Sequence, residues 1–287
     1  MYRCSFIRTE KELETMKNAP SKYEHRKTIH MSWIIDPETY RKLLPPVLEP
    51  ADFPVVYAYV SVFPHAGFNL PAYNEGGLFL TCKYHGEPGV YCIAMPIQGP
   101  NEMGILMGRE GYNYPKKNAK VQMDIIGDRV HAVIGRNGID FFELEGTMGE
   151  KHQYFTPKDP AILGKPVAGP CFMLQKDVTT ICDDPENDPM GMKVTAIRLV
   201  KQVNYNTTYK ETPVKLDITL RPSPDDPWVE VAPVDIWSAS YADDACEMKG
   251  CKLLEEYTSE EDINKLLPYM FTGYDLMGFG YQHEIHW

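Results

Sequence analysis

The chain predicts a mainly β fold, a large antiparallel sheet with a few short helices, and three observations carry that prediction. Apolar residues recur with period two through most segments between Tyr23 and Tyr257, the alternation of strands. Turn signals such as His85-Gly86-Glu87-Pro88-Gly89, Gly127-Asp128 and Arg136-Asn137-Gly138 separate those segments. Helix signals are confined to three short stretches. At 287 residues the chain is long enough to bury a sizeable core, and all-β chains of this length often stay undivided. We expect one domain over 1–287, with 1–20 and 258–287 as peripheral extensions.

Thr9-Glu10-Lys11-Glu12 has capping-box spacing and predicts a short solvent-facing helix to Lys17. In Tyr23–Ile35, residues Ile29, Met31, Trp33 and Ile35 alternate with more polar ones, which predicts a half-buried strand with Arg26 at its mouth. Asp36-Pro37 supplies an N-cap and a first-turn proline for a helix over Thr39–Leu44, which Pro45-Pro46 stops. Phe53–Phe63 alternates with Val55, Tyr57, Tyr59 and Ser61 on one face and Val56, Ala58, Val60 and Val62 on the other, a strand covered on both faces.

After a loop over Pro64–Pro71, Leu78–Tyr84 and Val90–Ile97 read as a hairpin with His85 exposed in its turn. Ala119–Ile126, Arg129–Ile134 and Ile139–Glu145 read as a meander, and the Gly-, Pro- and Lys-rich Thr147–Pro170 as a wrap over the sheet. Lys193–Gln202 and Val214–Arg221 are expected to form a long antiparallel pair, and Pro222–Pro227 a turn. Ser259 caps a last helix ending near Leu267-Pro268. The acidic Cys182–Pro189 lacks the calcium-loop pattern and reads as a solvated tip. His283 and His286, without further ligands, read as part of an aromatic, glycine-rich tail.

A formal net charge of −11 argues against nucleic acid and against anionic membrane surfaces, since both select clustered positive charge. The N-terminal residues lack the apolar core of a signal peptide, and no apolar run has the length of a membrane helix. Seven cysteines with no Cys-x-x-Cys pair fit reduced thiols in a cytoplasmic protein, not a disulfide framework or zinc site. We expect no metal and no cofactor.

The chemistry is concentrated in Gly108-Arg109-Glu110-Gly111-Tyr112-Asn113-Tyr114-Pro115-Lys116-Lys117. Adjacent lysines are ordinarily surface residues. These follow the apolar run Gly104–Met107 and an aromatic stretch, and a lysine held in dry surroundings is pushed toward its neutral, nucleophilic form. If Pro115–Lys117 is extended, the two lysines point to opposite sides, and desolvation of Lys116 outweighs repulsion from Lys117.

Gly-Arg-Glu followed by Tyr-Pro-Lys-Lys resembles the active-site segment of the acetoacetate decarboxylase family. The resemblance implies a closed, double-layered β-barrel, and Lys116 as the amine that forms a Schiff base with a ketone. That family is the standard example of a lysine activated by a cationic neighbour, so this cause arrives with the resemblance, and Lys117 with it. Arg26, ten residues before Asp36, matches the family's active-site arginine. Glu75, in Tyr73-Asn74-Glu75, matches the glutamate that meets that arginine. Tyr114 is expected to bond the carbinolamine oxygen, and Tyr73 to line the substrate site.

Fifteen residues before Glu75 the family has a further acid facing the substrate carboxylate, and the ungapped position here is Val60. Valine there removes like-charge destabilisation that helps expel carbon dioxide. An aldolase or aldolase-dehydratase tolerates that loss. The resemblance thus implies a carbon–carbon lyase acting on a small oxo acid or ketone: a decarboxylase of a 3-oxo acid, or an enzyme condensing a 2-oxo acid such as pyruvate with an aldehyde. A small-molecule-binding β-barrel without turnover is the non-enzymatic alternative. The aromatic tail argues for a homo-oligomer.

Overall fold

A computed structural model describes residues 7–18, 22–64, 71–99, 103–152, 170–179, 186, 193–270 and 272–275. Expectations for the Thr147–Pro170 wrap, the Cys182–Pro189 tip and the His283/His286 tail fall largely or wholly outside them.

The strands are β1 (Lys22–Ile34), β2 (Glu49–Pro50), β3 (Val55–Phe63), β4 (Tyr73–Tyr84), β5 (Glu87–Gln98), β6 (Lys116–Asn118), β7 (Lys120–Ile126), β8 (Arg129–Arg136), β9 (Ile139–Met148), β10 (Pro170–Thr179), β11 (Lys193–Leu220) and β12 (Asp235–Tyr257). They form one 12-stranded sheet in the order β10-β5-β4-β3-β1-β12-β11-β9-β8-β7, with β2 beside β4 and β6 beside β5. β10 also pairs with β11, so β10, β5, β4, β3, β1, β12 and β11 make a closed circuit of hydrogen bonds. The circuit is antiparallel except at β10–β5, and closure leaves these strands no bare edge. β9, β8 and β7 continue outward from the C-terminal half of β11.

Alternation divides the side chains between two cores. Val56, Ala58, Val60, Leu78, Leu80, Phe172 and Leu174 join the larger one, together with Ile134, Phe142 and Leu144 from the outer meander. Their neighbours Tyr57, Phe79, Cys171 and Met173 form a second cluster with Tyr114. The strands of the circuit are therefore covered on both faces, as a double-layered arrangement requires.

The helices α1 (Glu10–Lys17), α2 (Pro37–Leu43) and α4 (Glu260–Leu266) lie where the caps predict, with Thr9, Asp36 and Ser259 accepting from the first-turn amides. α1 buries nothing. A further short helix, α3 (Met103–Leu106), runs into a π-helical turn over Met107–Gly111.

Three expectations change. β1 is not half-buried: Thr28, His30 and Ser32 are as enclosed as Ile29, Met31 and Trp33, because the polar set faces the inside of the circuit. β4 begins at Tyr73, so Gly76-Gly77 lies within a strand rather than at its entrance. A Cβ on Gly77 would stand 2.5 Å from Tyr59 Cε1, so glycine serves close approach there. Lys193–Gln202 and Val214–Arg221 are not partners but the two ends of the 28-residue β11. The polar stretch between them is exposed strand, and its Thr and Tyr content favours extension over turning.

Candidate active site

Inside the circuit is a cavity of about 110 Å³ to which each of its seven strands contributes a side chain: Arg26 and His30, Tyr59, Glu75, Met95, Cys171, Asn204 and Cys246 among them. Its walls are rich in aromatic side chains, Tyr57, Tyr59, Tyr73 and Phe79 among them. A bulge in β1 at His25, whose φ is 53°, lets Tyr23 and Arg26 face the cavity together despite their odd spacing.

Lys116 enters from β6, the three-residue strand that pairs in parallel with β5. Its side chain is 8% exposed, and Nζ donates to Glu75 Oε2 at 2.5 Å. Glu75 Oε1 accepts from the Tyr59 hydroxyl at 2.6 Å, so both carboxylate oxygens are engaged. Burial, then the Glu75 charge, raise the Tyr59 hydroxyl well above the usual phenol range, which keeps it a donor. Tyr73 lines the site as expected, with its ring centroid 5.6 Å from Lys116 Nζ. The π-helical turn closes the far side. A Cβ on Gly108 would overlap Cδ and Cε of Lys116, so this glycine makes room for the lysine stem.

Several site expectations need correction. Arg26 lines the cavity but does not pair with Glu75; its Nε donates to Asp244 Oδ1 at 2.7 Å. Asp244 is fully buried, and its second oxygen lies 2.9 Å from His30 Nε2, whose Nδ1 is 2.8 Å from the Tyr57 hydroxyl. Glu75 is held instead by Lys116 and Tyr59. Tyr114 lines the cavity, but its hydroxyl donates to Gln202, so it is not a spare donor for a carbinolamine.

Val60 is not at the site. It is fully buried in the larger core, pointing away from Tyr59, because successive residues of a strand face opposite sides. Lys117 is not there either. It turns to the other side of β6 and meets Asp226 at 3.5 Å and Asp275 at 3.2 Å, beside Arg136. The opposite orientation of the two lysines is as the extended backbone requires, and Lys117 does not line the cavity.

The residues missed by sequence reasoning are Asp244, His30, Tyr57, Tyr59 and Asn204. Tyr57 and Tyr59 were visible only as one face of an alternating strand. Asn204 Oδ1 is buried without a partner on the cavity wall. Burial pushes the Asp244 carboxyl upward, but the His30 hydrogen bond and the Arg26 charge together outweigh it, leaving it below the usual carboxylate range.

The family model for acetoacetate decarboxylase (ADC) matches residues 9–259. The chain belongs to this family. Acetoacetate decarboxylase of Burkholderia multivorans is 28% identical over 156 residues, 54% of this chain and 60% of that protein. The chain thus spans under two thirds of the curated relative it matches. The acetoacetate decarboxylase structure from Legionella pneumophila aligns with a TM-score of 0.69 at 22% identity, over 84% of this chain and 89% of that one. The enduracididine biosynthesis enzyme MppR, complexed with the condensation product of pyruvate and imidazole 4-carboxaldehyde, aligns with a TM-score of 0.62 at 16% identity, over 87% and 95%. At these identities the two structural likenesses show the fold. Among the described residues no helix is long and apolar enough to cross a membrane.

Proposed function

We propose that this family member is a Schiff-base lyase of a small 3-oxo acid, with Lys116 as nucleophile. The observation that carries the proposal is the buried Lys116–Glu75 contact inside an aromatic cavity. Glu75 takes a proton from the ammonium, and the neutral amine attacks the ketone carbon to give a carbinolamine. Glu75 returns the proton to the carbinolamine oxygen, which leaves as water, and an iminium remains. The electron pair of the bond to the carboxylate then moves into the iminium. Carbon dioxide leaves, and the enamine is protonated at carbon and hydrolysed to release the ketone.

Arg26 has its Nε committed to Asp244, while its two Nη nitrogens have no hydrogen-bond partner among the described residues. They are the donors that hold the substrate carboxylate. The cavity of about 110 Å³ suits a compact substrate. An apolar protein cavity of about 150 Å³ accepts benzene, so an oxo acid with a short chain is the matching size.

Borohydride reduction with acetoacetate present tests the proposal: mass spectrometry is expected to find one reduced adduct on the peptide carrying Lys116, and its absence overturns the mechanism. Glu75→Gln keeps a hydrogen-bond partner for Tyr59 but accepts no proton. It is expected to lower kcat about a hundredfold while leaving the protein folded. A kcat within threefold of wild type would remove Glu75 from the proton path.

One observation favours a second outcome for the same iminium. Glu75 is the one carboxylate among the described residues lining the cavity, so no second acid adds like-charge destabilisation to a substrate carboxylate. An aldolase or aldolase-dehydratase joining the pyruvate enamine to an aldehyde needs no such acid. Carbon dioxide from acetoacetate, against a condensation product from pyruvate with an aldehyde, separates the two.

A further inference from the structure

Across β6 from the lysine cavity, on the outer face of the circuit, lies a larger cavity of about 590 Å³, within the size range of small-molecule sites. Its wall is mostly apolar, and the sequence builds it at an irregularity. The β4–β5 register shifts between Leu78↔Ala94 and Phe79↔Cys92, and the extra residue lets Ile93 and Ala94 both pack toward the larger, outer core. Leu78 of β4 and Leu43 of α2 join them on the wall, and the short helical turn Trp228–Val231 adds Trp228 and Val231.

The charged residues on the wall are already paired. Lys42 Nζ lies 2.9 Å from Glu230 Oε1, and Lys117 Nζ lies 3.5 Å from Asp226, which also meets Arg136 at 2.8 Å. Asp225 Oδ2 accepts from Asn137 Nδ2 at 3.2 Å. An ionic ligand would lose its hydration here without gaining a counter-charge, so the wall selects a neutral one. Trp228 differs from these residues. It is 2% exposed, its ring lies 5.5 Å from that of Phe141 and 5.2 Å from that of Phe142, and its Nε1 is buried without a hydrogen-bond partner. A buried N–H left unpaired is costly, and folded proteins ordinarily satisfy it. We propose that this cavity binds a neutral, largely apolar small molecule carrying one hydrogen-bond acceptor, an aryl ketone being the simplest case. Its body lies against Leu43, Leu78, Ile93 and Ala94, and its oxygen accepts from the Trp228 N–H. Pro115 and Lys117 line this cavity, Lys116 between them lines the other, and Met95 lines both. The bound molecule therefore rests against the strand that carries Lys116.

Prodan, a neutral naphthyl ketone whose emission brightens and shifts to the blue in dry surroundings, is the probe, since its fused rings exceed the lysine cavity of about 110 Å³. Titrated into the full chain, it is expected to bind at one saturable site. In displacement of prodan, acetonaphthone is expected to bind about fivefold tighter than ethylnaphthalene, the ordinary net worth of one hydrogen bond. Naphthoate is expected to bind about tenfold weaker than acetonaphthone, because its charge stays unpaired. Ala94→Phe and Leu43→Trp, on different elements, fill the cavity and are each expected to abolish the prodan signal. Either one that keeps the wild-type melting temperature decides the matter. Trp228→Phe is expected to erase the advantage of the ketone over the hydrocarbon, and Lys116→Met to leave the prodan Kd unchanged. Absent prodan binding overturns the proposal, as does wild-type affinity in a folded filled variant or naphthoate binding as tightly as the ketone. A ketone advantage that survives in folded Trp228→Phe, or loss of binding in Lys116→Met, overturns it equally. None of these outcomes depends on whether Lys116 forms a Schiff base.

Discussion

Lys116→Met is expected to bring turnover of the 3-oxo acid down to the uncatalysed level and to abolish the borohydride-trapped adduct, whereas Lys117→Met is expected to retain both. The contrast follows from one peptide bond of extended chain. Lys116 faces the aromatic cavity and Glu75, while Lys117 faces Asp226 and Asp275 across the strand. Methionine fills the lysine stem in either place without its nitrogen. At position 117 Arg136 remains paired with both acids, at 2.8 Å from Asp226 and 2.7 Å from Asp275, and the one negative charge left over falls on a cluster that Asp275 opens to solvent, so the fold is expected to survive that change. If folded Lys117→Met also failed to trap substrate, the assignment of the nucleophile to Lys116 alone would not stand.

The site was legible where chemistry and strand period agreed and illegible where partners meet only through the fold. Tyr-Pro-Lys-Lys marked Lys116, and the two-residue period of an extended backbone separated Lys116 from Lys117. The same period was the stronger guide at Val60. Alternation over Phe53–Phe63 already set residue 60 on the face opposite Tyr59, and counting along an ungapped match overrode it. The structure places Tyr59, not residue 60, beside Glu75.

Asp244 had no local signal at all. It lies in a polar, acidic stretch whose neighbour Asp243 is surface-paired with Lys27, and only the antiparallel register Arg26↔Asp244 between β1 and β12 joins it to the arginine. A long-range register of this kind has no sequence signature, which is also why β11 looked like two strands. Its middle is polar because it is exposed, not because it turns.

That buried acid is also where stability should be most sensitive. Asp244→Asn removes the charge that faces Arg26 and leaves a guanidinium that cannot neutralise itself inside the circuit. Breaking a buried pair from one side costs about 3–5 kcal/mol, and the urea midpoint at pH 7 is expected to fall accordingly. The pH dependence has a determined sign. The Asp244 carboxyl is held below its unfolded range, with burial raising it and His30 and Arg26 together lowering it by more. Its contribution is therefore fully present above the unfolded carboxylate pKa, about 3.9, and is lost as pH falls through the lower folded value. Wild type should lose stability progressively in that acid window, and Asp244→Asn should lack this part of the loss while starting from a lower plateau. The two curves are then expected to converge below the folded pKa, where both side chains are neutral. An unfolding free energy for Asp244→Asn within about 1 kcal/mol of wild type at pH 7, from urea titration of folded protein, would mean that Arg26 is solvated through the cavity rather than held by Asp244. In that case Arg26 would be free to reorient toward substrate without the fixed geometry that its grip on Asp244 gives it.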